Sequence, residues 1–296
     1  MGKCVTDHYA WKAHRHPVDQ GEYVSIAPES AHTAEPGGDR CSCGSDHDHG
    51  PTGNDIVHAL GRGFAILSLL TPVLALALVA ASLVATPTSA GVIFLGIGLG
   101  LVHLALMLVA GTVGAKKGPA MTGSPWFLVG RVAIEELVRL LVSLIALVTL
   151  SWQWTGALGL WIGVGAMLVW TVLTTAQLVT SRRRIARPSD WSKETVLSVL
   201  DGGISVRRAM SVRFLDIAGL FLFQLGACTL VTAAPIMTVA TIVLSIASGL
   251  STLIVQSLSP ERRKRSPWAF VPFAIGVVTL ALAVAFVLAP GVAALS

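Results

Sequence analysis

Residues 126–150 read WFLVGRVAIEELVRLLVSLIALVTL, and this stretch decides how the chain folds. It is long and apolar enough to cross a bilayer, yet Arg131, Glu135, Glu136 and Arg139 fall in its first half. One charged side chain at the centre of a membrane helix costs about 2.5–3.5 kcal/mol even on lenient insertion scales. Four on one helix are tolerated when they neutralise one another and face protein or water. The spacing allows this: Arg131 and Glu135 are four residues apart, as are Glu135 and Arg139. One helix ridge therefore carries an Arg–Glu–Arg ladder with Glu135 as the shared counter-ion. Glu136 points about 100° away from Glu135. That takes it off the ridge and makes it the better candidate for a functional carboxylate.

The composition fits a bundle built around such a helix. Of 296 residues, 53% are hydrophobic and only 12% charged, with a mean hydropathy of +0.73. Soluble domains carry about 25% charged residues, so the expected class is an all-α, polytopic helical membrane protein. Charge is unevenly spread: residues 1–55 hold nine Asp/Glu against four Lys/Arg, and residues 56–296 hold seven against seventeen. The basic excess of the second part is a matter of topology, so it gives no ground for a nucleic-acid partner.

Residues 1–55 show no sustained apolar period and are rich in Gly, Pro, Ser, Asp and His. A chain of that composition buries too little surface to offset its ordering entropy, and a disordered cytoplasmic tail is expected. No signal peptide is visible, because the first apolar run starts near Phe64. The tail holds three of the four cysteines. Its densest patch places Cys41, Cys43, His47 and His49 within nine residues, thiolate and imidazole donors suited to zinc or copper. Cys-x-Cys is tighter than the usual structural zinc spacing, and no second cysteine pair follows.

Residues 56–296 divide into about seven apolar spans, near 64–85, 90–113, 126–150, 155–179, 214–233, 236–258 and 268–289. Each has roughly the 20 residues that cross ~30 Å of hydrocarbon. Pro72 is expected to kink the first span without ending it. Gly96-x-x-x-Gly100 and Gly159-x-x-x-Gly163 have the spacing of closely packed helix pairs. One set of loops holds Lys116 and Lys117, the arginines between 182 and 213, and the basic run 262–265; the loops at 86–89, 151–154 and 233–235 carry no charge. The positive-inside rule then places the N-terminus in the cytoplasm and the C-terminus outside a cytoplasmic or plasma membrane.

The one long cytoplasmic loop begins after the fourth span. Pro188-Ser189-Asp190 offers a helix start, and Trp191, Thr195, Val196, Val199 and Leu200 share a face before Gly202-Gly203. The expectation is an interfacial helix near 189–201 lying on anionic lipid. Gln177, Gln224 and Gln256 are expected as interhelical hydrogen-bond donors before ligands. His103 stands alone on the second span, expected as a packed or hydrogen-bonded histidine before a metal ligand, and is grouped with Arg131 and Arg139 in the charge cluster.

Glu135-Glu136-Leu137-Val138-Arg139 resembles the Glu-Glu motif of the YhfC-type and CAAX/PrsW-type superfamily of intramembrane metalloproteases. The two-residue gap before Arg139 is similar to the YhfC-type pattern, and the order of spans, Gly-rich helix and polar loop is similar over residues 58–296. The resemblance implies Glu135 and Glu136 as catalytic carboxylates, with histidine ligands on later helices. Here no histidine follows Glu136, and the Gly-rich segment 159–166 reads GLWIGVGA. The leading expectation is thus a non-catalytic or degenerate relative that binds a membrane helix or a cytoplasmic protein. Two alternatives stay open: an active YhfC-like peptidase, and a transporter or metal-responsive permease.

Overall fold

The computed structural model describes residues 53–86, 90–118, 124–150, 155–202, 205–259, 262 and 266–288, with no strand among them. In chain order the helices are α1 (Gly53–Ala85), α2 (Ala90–Lys117), α3 (Pro125–Leu150), α4 (Thr155–Ile185), α5 (Asp190–Gly202), α6 (Val206–Ala233), α7 (Thr238–Ser257) and α8 (Val271–Leu288). Short 3-10 turns, Pro235–Met237 and Pro267–Phe270, lead into α7 and α8. The tail up to residue 52, with Cys41, Cys43, His47 and His49, lies outside the described residues.

Among the described residues six helices are long and apolar enough to cross a membrane: α1, α2, α4, α6, α7 and α8. The described residues are thus all-helical, and their apolar helices make the chain a multi-pass membrane protein. α3 has the length, 26 residues, but four charges set it apart.

Several helices outrun their apolar runs. α1 begins at Gly53, eleven residues before Phe64, so the tail expected over residues 1–55 gives way to helix three residues early. Its 33 residues span about 50 Å at 1.5 Å per residue, well beyond a ~30 Å hydrocarbon core. The extra turns have a packing reason. Ile56 and Leu60 are buried against Ile185 at the end of α4, and Trp191, Val196 and Val199 of α5 close over them. In this small second core Trp191, Val196 and Val199, from the apolar face of α5, pack on protein. Ser189 and Ser192 cap the start of α5 reciprocally, with Ser192 N–H donating to Ser189 Oγ at 3.2 Å and Ser189 N–H donating to Ser192 Oγ at 2.9 Å. α1 runs unbroken through Pro72.

α4 and α6 form the centre. In each, 67% of the most apolar stretch is buried, against 17–28% in α1, α2, α7 and α8. Without a hydrophobic drive between helices in lipid, close backbone packing has to hold them, and glycines permit it. Gly96 and Gly100 of α2 meet α4 at Gly165 and Val169, and Gly159 and Gly163 of α4 meet α6. A Cβ on Gly163 would come within 2.9 Å of the Gln224 carbonyl oxygen and of Leu225 Cα. Both spacing motifs thus mark true helix contacts. α6 and α8 meet in the same way through Gly219, Gly226 and Gly276. α3 stands to one side, against α7, α2 and α6, with Leu128 seated on Gly249 of α7.

Candidate functional site

The buried stripe of α3 is Val132, Glu136, Arg139, Ser143 and Ala146, a repeat of four and three residues that keeps one helix face turned inward. Ile134, Leu137, Leu141 and Val148 occupy the opposite, exposed face. The inward face therefore runs through Glu136, not Glu135. Two ion pairs result where a continuous ladder was expected. The rung between Arg131 and Glu135 exists, with Nε 3.3 Å from Oε1, but its side chains are 35% and 19% exposed. The second rung is replaced: Arg139 pairs through Nη1 with Glu136 Oε2, and both side chains are 2% exposed.

Arg139 is also held from a second helix. Its Nη2 donates to Gln224 Oε1 on α6 at 2.9 Å. Its Cζ lies 5.4 Å from the centre of the Phe223 ring, a cation–π distance. Helical side chains lean toward the N-terminus of their helix, and the levels agree with this. Ser143 and Thr232 are hydrogen-bonded at 3.2 Å, which sets Arg139 about level with Cys228, each four residues earlier on its helix. The Arg139 side chain then reaches back about one turn to Gln224. Gln224 is fixed from behind, because its backbone is what Gly163 of α4 packs against. Gln224 thus makes the expected interhelical bond, but as acceptor for a buried cation where a donor was expected.

His103 on α2 is 2% exposed and its Nε2 lies 3.0 Å from the Glu135 backbone oxygen. A carbonyl oxygen only accepts, so Nε2 carries the proton and donates. The ring thereby ties α2 to α3 through backbone, and Nε2 is not available as a metal ligand in this arrangement. Among the described residues no three His, Cys, Asp or Glu side chains gather where they could hold a metal ion. In residues 159–166, Gly159, Gly163 and Gly165 are helix-contact positions where even a Cβ would collide with backbone.

The structure thus brings together Glu136, Arg139 and Gln224, with Phe223 and Cys228 alongside, and leaves Arg131 and Glu135 toward the periphery. The chemistry this supports is charge neutralisation across a helix contact. A guanidinium stays protonated in proteins, so an Arg139 removed from water requires a counter-charge and further acceptors. Glu136 and Gln224 supply these to Nη1 and Nη2, while the buried Nε has no hydrogen-bond partner among the described residues. Phe223, Cys228, Ser143 and Thr232 were not singled out by the sequence reading, because in an all-apolar helix no period distinguishes the residues that face a partner. Comparison with protein-family models, with curated proteins and with solved structures returns no match to this chain.

Proposed function

We propose that this is a seven-span, non-catalytic membrane protein, N-terminus inside, whose charged third span locks the bundle and which serves to bind a membrane helix or a cytoplasmic protein. The observation that carries this reading is the closed pair Glu136–Arg139, with the second arm of Arg139 taken by Gln224. A hydrolytic carboxylate has to reach water or a metal-bound water. Here the most buried carboxylate of α3 is spent on its own helix, and the helix-contact glycines of α4 leave no room for added ligands. Among the superfamily the Glu-Glu-x-x-Arg motif resembles, the chain would then be a degenerate member that kept the charged helix as a structural device.

α3 crosses the bilayer in this reading as the seventh span. Its charges cost little there because the inner pair is self-neutralised and Arg131 lies about 8 Å along the helix from Trp126, near enough to the interface to snorkel. The test is direct. Co-expression with a panel of tagged single-span membrane substrates should yield no cleavage that Glu136→Gln abolishes. Cleavage lost specifically in that variant, with the protein still folded and abundant, would return the chain to the active peptidases.

A further inference from the structure

The basic end of the bundle brings together arginines that are distant in sequence. Gly61 of α1 lies beside the Ile185 side chain of α4, its added Cβ falling 3.9 Å away, and Gly63 lies against Met210 of α6. These two contacts put the three helices in register. Arg62 is therefore level with the last turn of α4 and the first turns of α6. At 1.5 Å per residue, Arg182 and Arg183 sit about 3–5 Å to one side of that level, and Arg207 and Arg208 about 3–5 Å to the other. Arg187 follows in the turn after α4, where its N–H donates to the Arg184 carbonyl at 3.1 Å. All six side chains are exposed. They form a belt roughly 10 Å deep around the bundle end.

The height of this belt relative to the apolar surface identifies what it meets. The exposed apolar residues of α1 start at Ile66 and end at Val84. That is about 27 Å along the helix, close to the ~30 Å of a hydrocarbon core. Arg62 stands one turn beyond its edge, about 6 Å from Ile66, where the headgroups lie. The described acids at this end, Asp55, Asp190, Glu194 and Asp216, are fewer than the arginines around them, which leaves the belt net basic.

From this we infer that the arginines of α1, α4 and α6 form a binding belt for anionic phospholipid headgroups of the surrounding leaflet. Planar guanidinium groups pair bidentately with phosphate oxygens, and a headgroup carrying net negative charge is favoured over a zwitterionic one. The inference rests on the membrane reading above but not on the protein's being non-catalytic.

The test uses full-length protein purified in a neutral detergent, with phosphatidylglycerol or phosphatidylcholine added and bound lipid counted by native mass spectrometry. Phosphatidylglycerol should be retained and phosphatidylcholine not. The variant R62Q/R183Q/R208Q should bind phosphatidylglycerol roughly a hundredfold more weakly, from about one juxtamembrane charge increment per arginine. Equal retention of the two lipids by the parent protein would overturn the inference, and it needs no variant to fold. So would undiminished phosphatidylglycerol binding by the triple variant. Full displacement by millimolar inorganic phosphate would assign the belt to a soluble phosphate instead of a lipid. Whatever the result, the peptidase assay and its Glu136 dependence remain separately readable.

Discussion

Replacing Glu136 by Gln is the perturbation on which the two ion pairs of α3 differ most. It keeps the side chain's shape but leaves the Arg139 guanidinium, 2% exposed, without its counter-charge. Breaking one partner of a buried pair typically costs about 3–5 kcal/mol, because the surviving charge stays uncompensated. For a chain of this size each kcal/mol lowers the melting temperature by roughly 2–4 °C, so a fall of roughly 6–20 °C is expected. Glu135→Gln removes a partner from a pair that is 35% and 19% exposed. Arg131 can snorkel to the interface once its partner is neutral, so the loss should be smaller and that variant should melt above Glu136→Gln. The double variant E136Q/R139Q leaves no lone charge, and its amides remain next to Gln224, which hydrogen-bonds neutral partners equally well. It should recover to within about 1–2 kcal/mol of the parent. Intrinsic-fluorescence melts of the detergent-purified parent, Glu136→Gln, Arg139→Gln and E136Q/R139Q proteins measure all four corners of the cycle, with Glu135→Gln read beside them. A Glu136→Gln protein as stable as its parent, or a Glu135→Gln protein that melts lower than it, would refute the assignment of the buried pair. Additive single-variant losses in the double would do the same.

Other positions give sharper contrasts between neighbours of the same type. Gly163→Val should destabilise by about 1–3 kcal/mol, because the Cβ meets the backbone of Gln224 and Leu225 at 2.9 Å, while Gly98→Ala, with open space around it, should stay within about 0.5 kcal/mol; thermal melts separate them. Val196→Asp places a carboxylate in the small core formed with Ile56, Leu60 and Ile185. It should release α5, seen as rapid proteolysis near residues 186–205, while the spans stay protected; unchanged proteolysis would place α5 elsewhere.

The fold was legible in the sequence because hydropathy and loop charge act over whole spans. Every expected span has a helix at its position, and Gly96, Gly100, Gly159 and Gly163 mark real contacts. Helix ends were less legible: α1 and α6 each start several residues before their apolar runs, since polar turns outside the hydrocarbon extend a helix when they have something to pack on, as Ile56 and Leu60 do. The charged centre was legible in its membership and not in its pairing. Spacing alone allows Arg139 to join Glu135 at four residues or Glu136 at three, and the choice is made by which face α6 covers. Gln224 and the Gly163 contact behind it turn Glu136 inward. That decision lies between helices far apart in sequence, where local periodicity carries no signal. The apolar stripe of α5 is likewise silent on whether lipid or protein covers it, and Trp191, Val196 and Val199 pack on protein.

The account stands most directly on α3 crossing the bilayer despite its four charges, since only an odd number of spans puts the two chain ends on opposite sides. A fluorescent protein that matures only in the cytoplasm, fused after Arg184 or after Ser296, reads this in a single comparison. The account predicts bright cells for the fusion at Arg184 and dark cells for the fusion at Ser296, with alkaline phosphatase at Ser296 active. Bright cells at Ser296 would mean an even number of spans, with α3 lying outside the membrane core, and would contradict it.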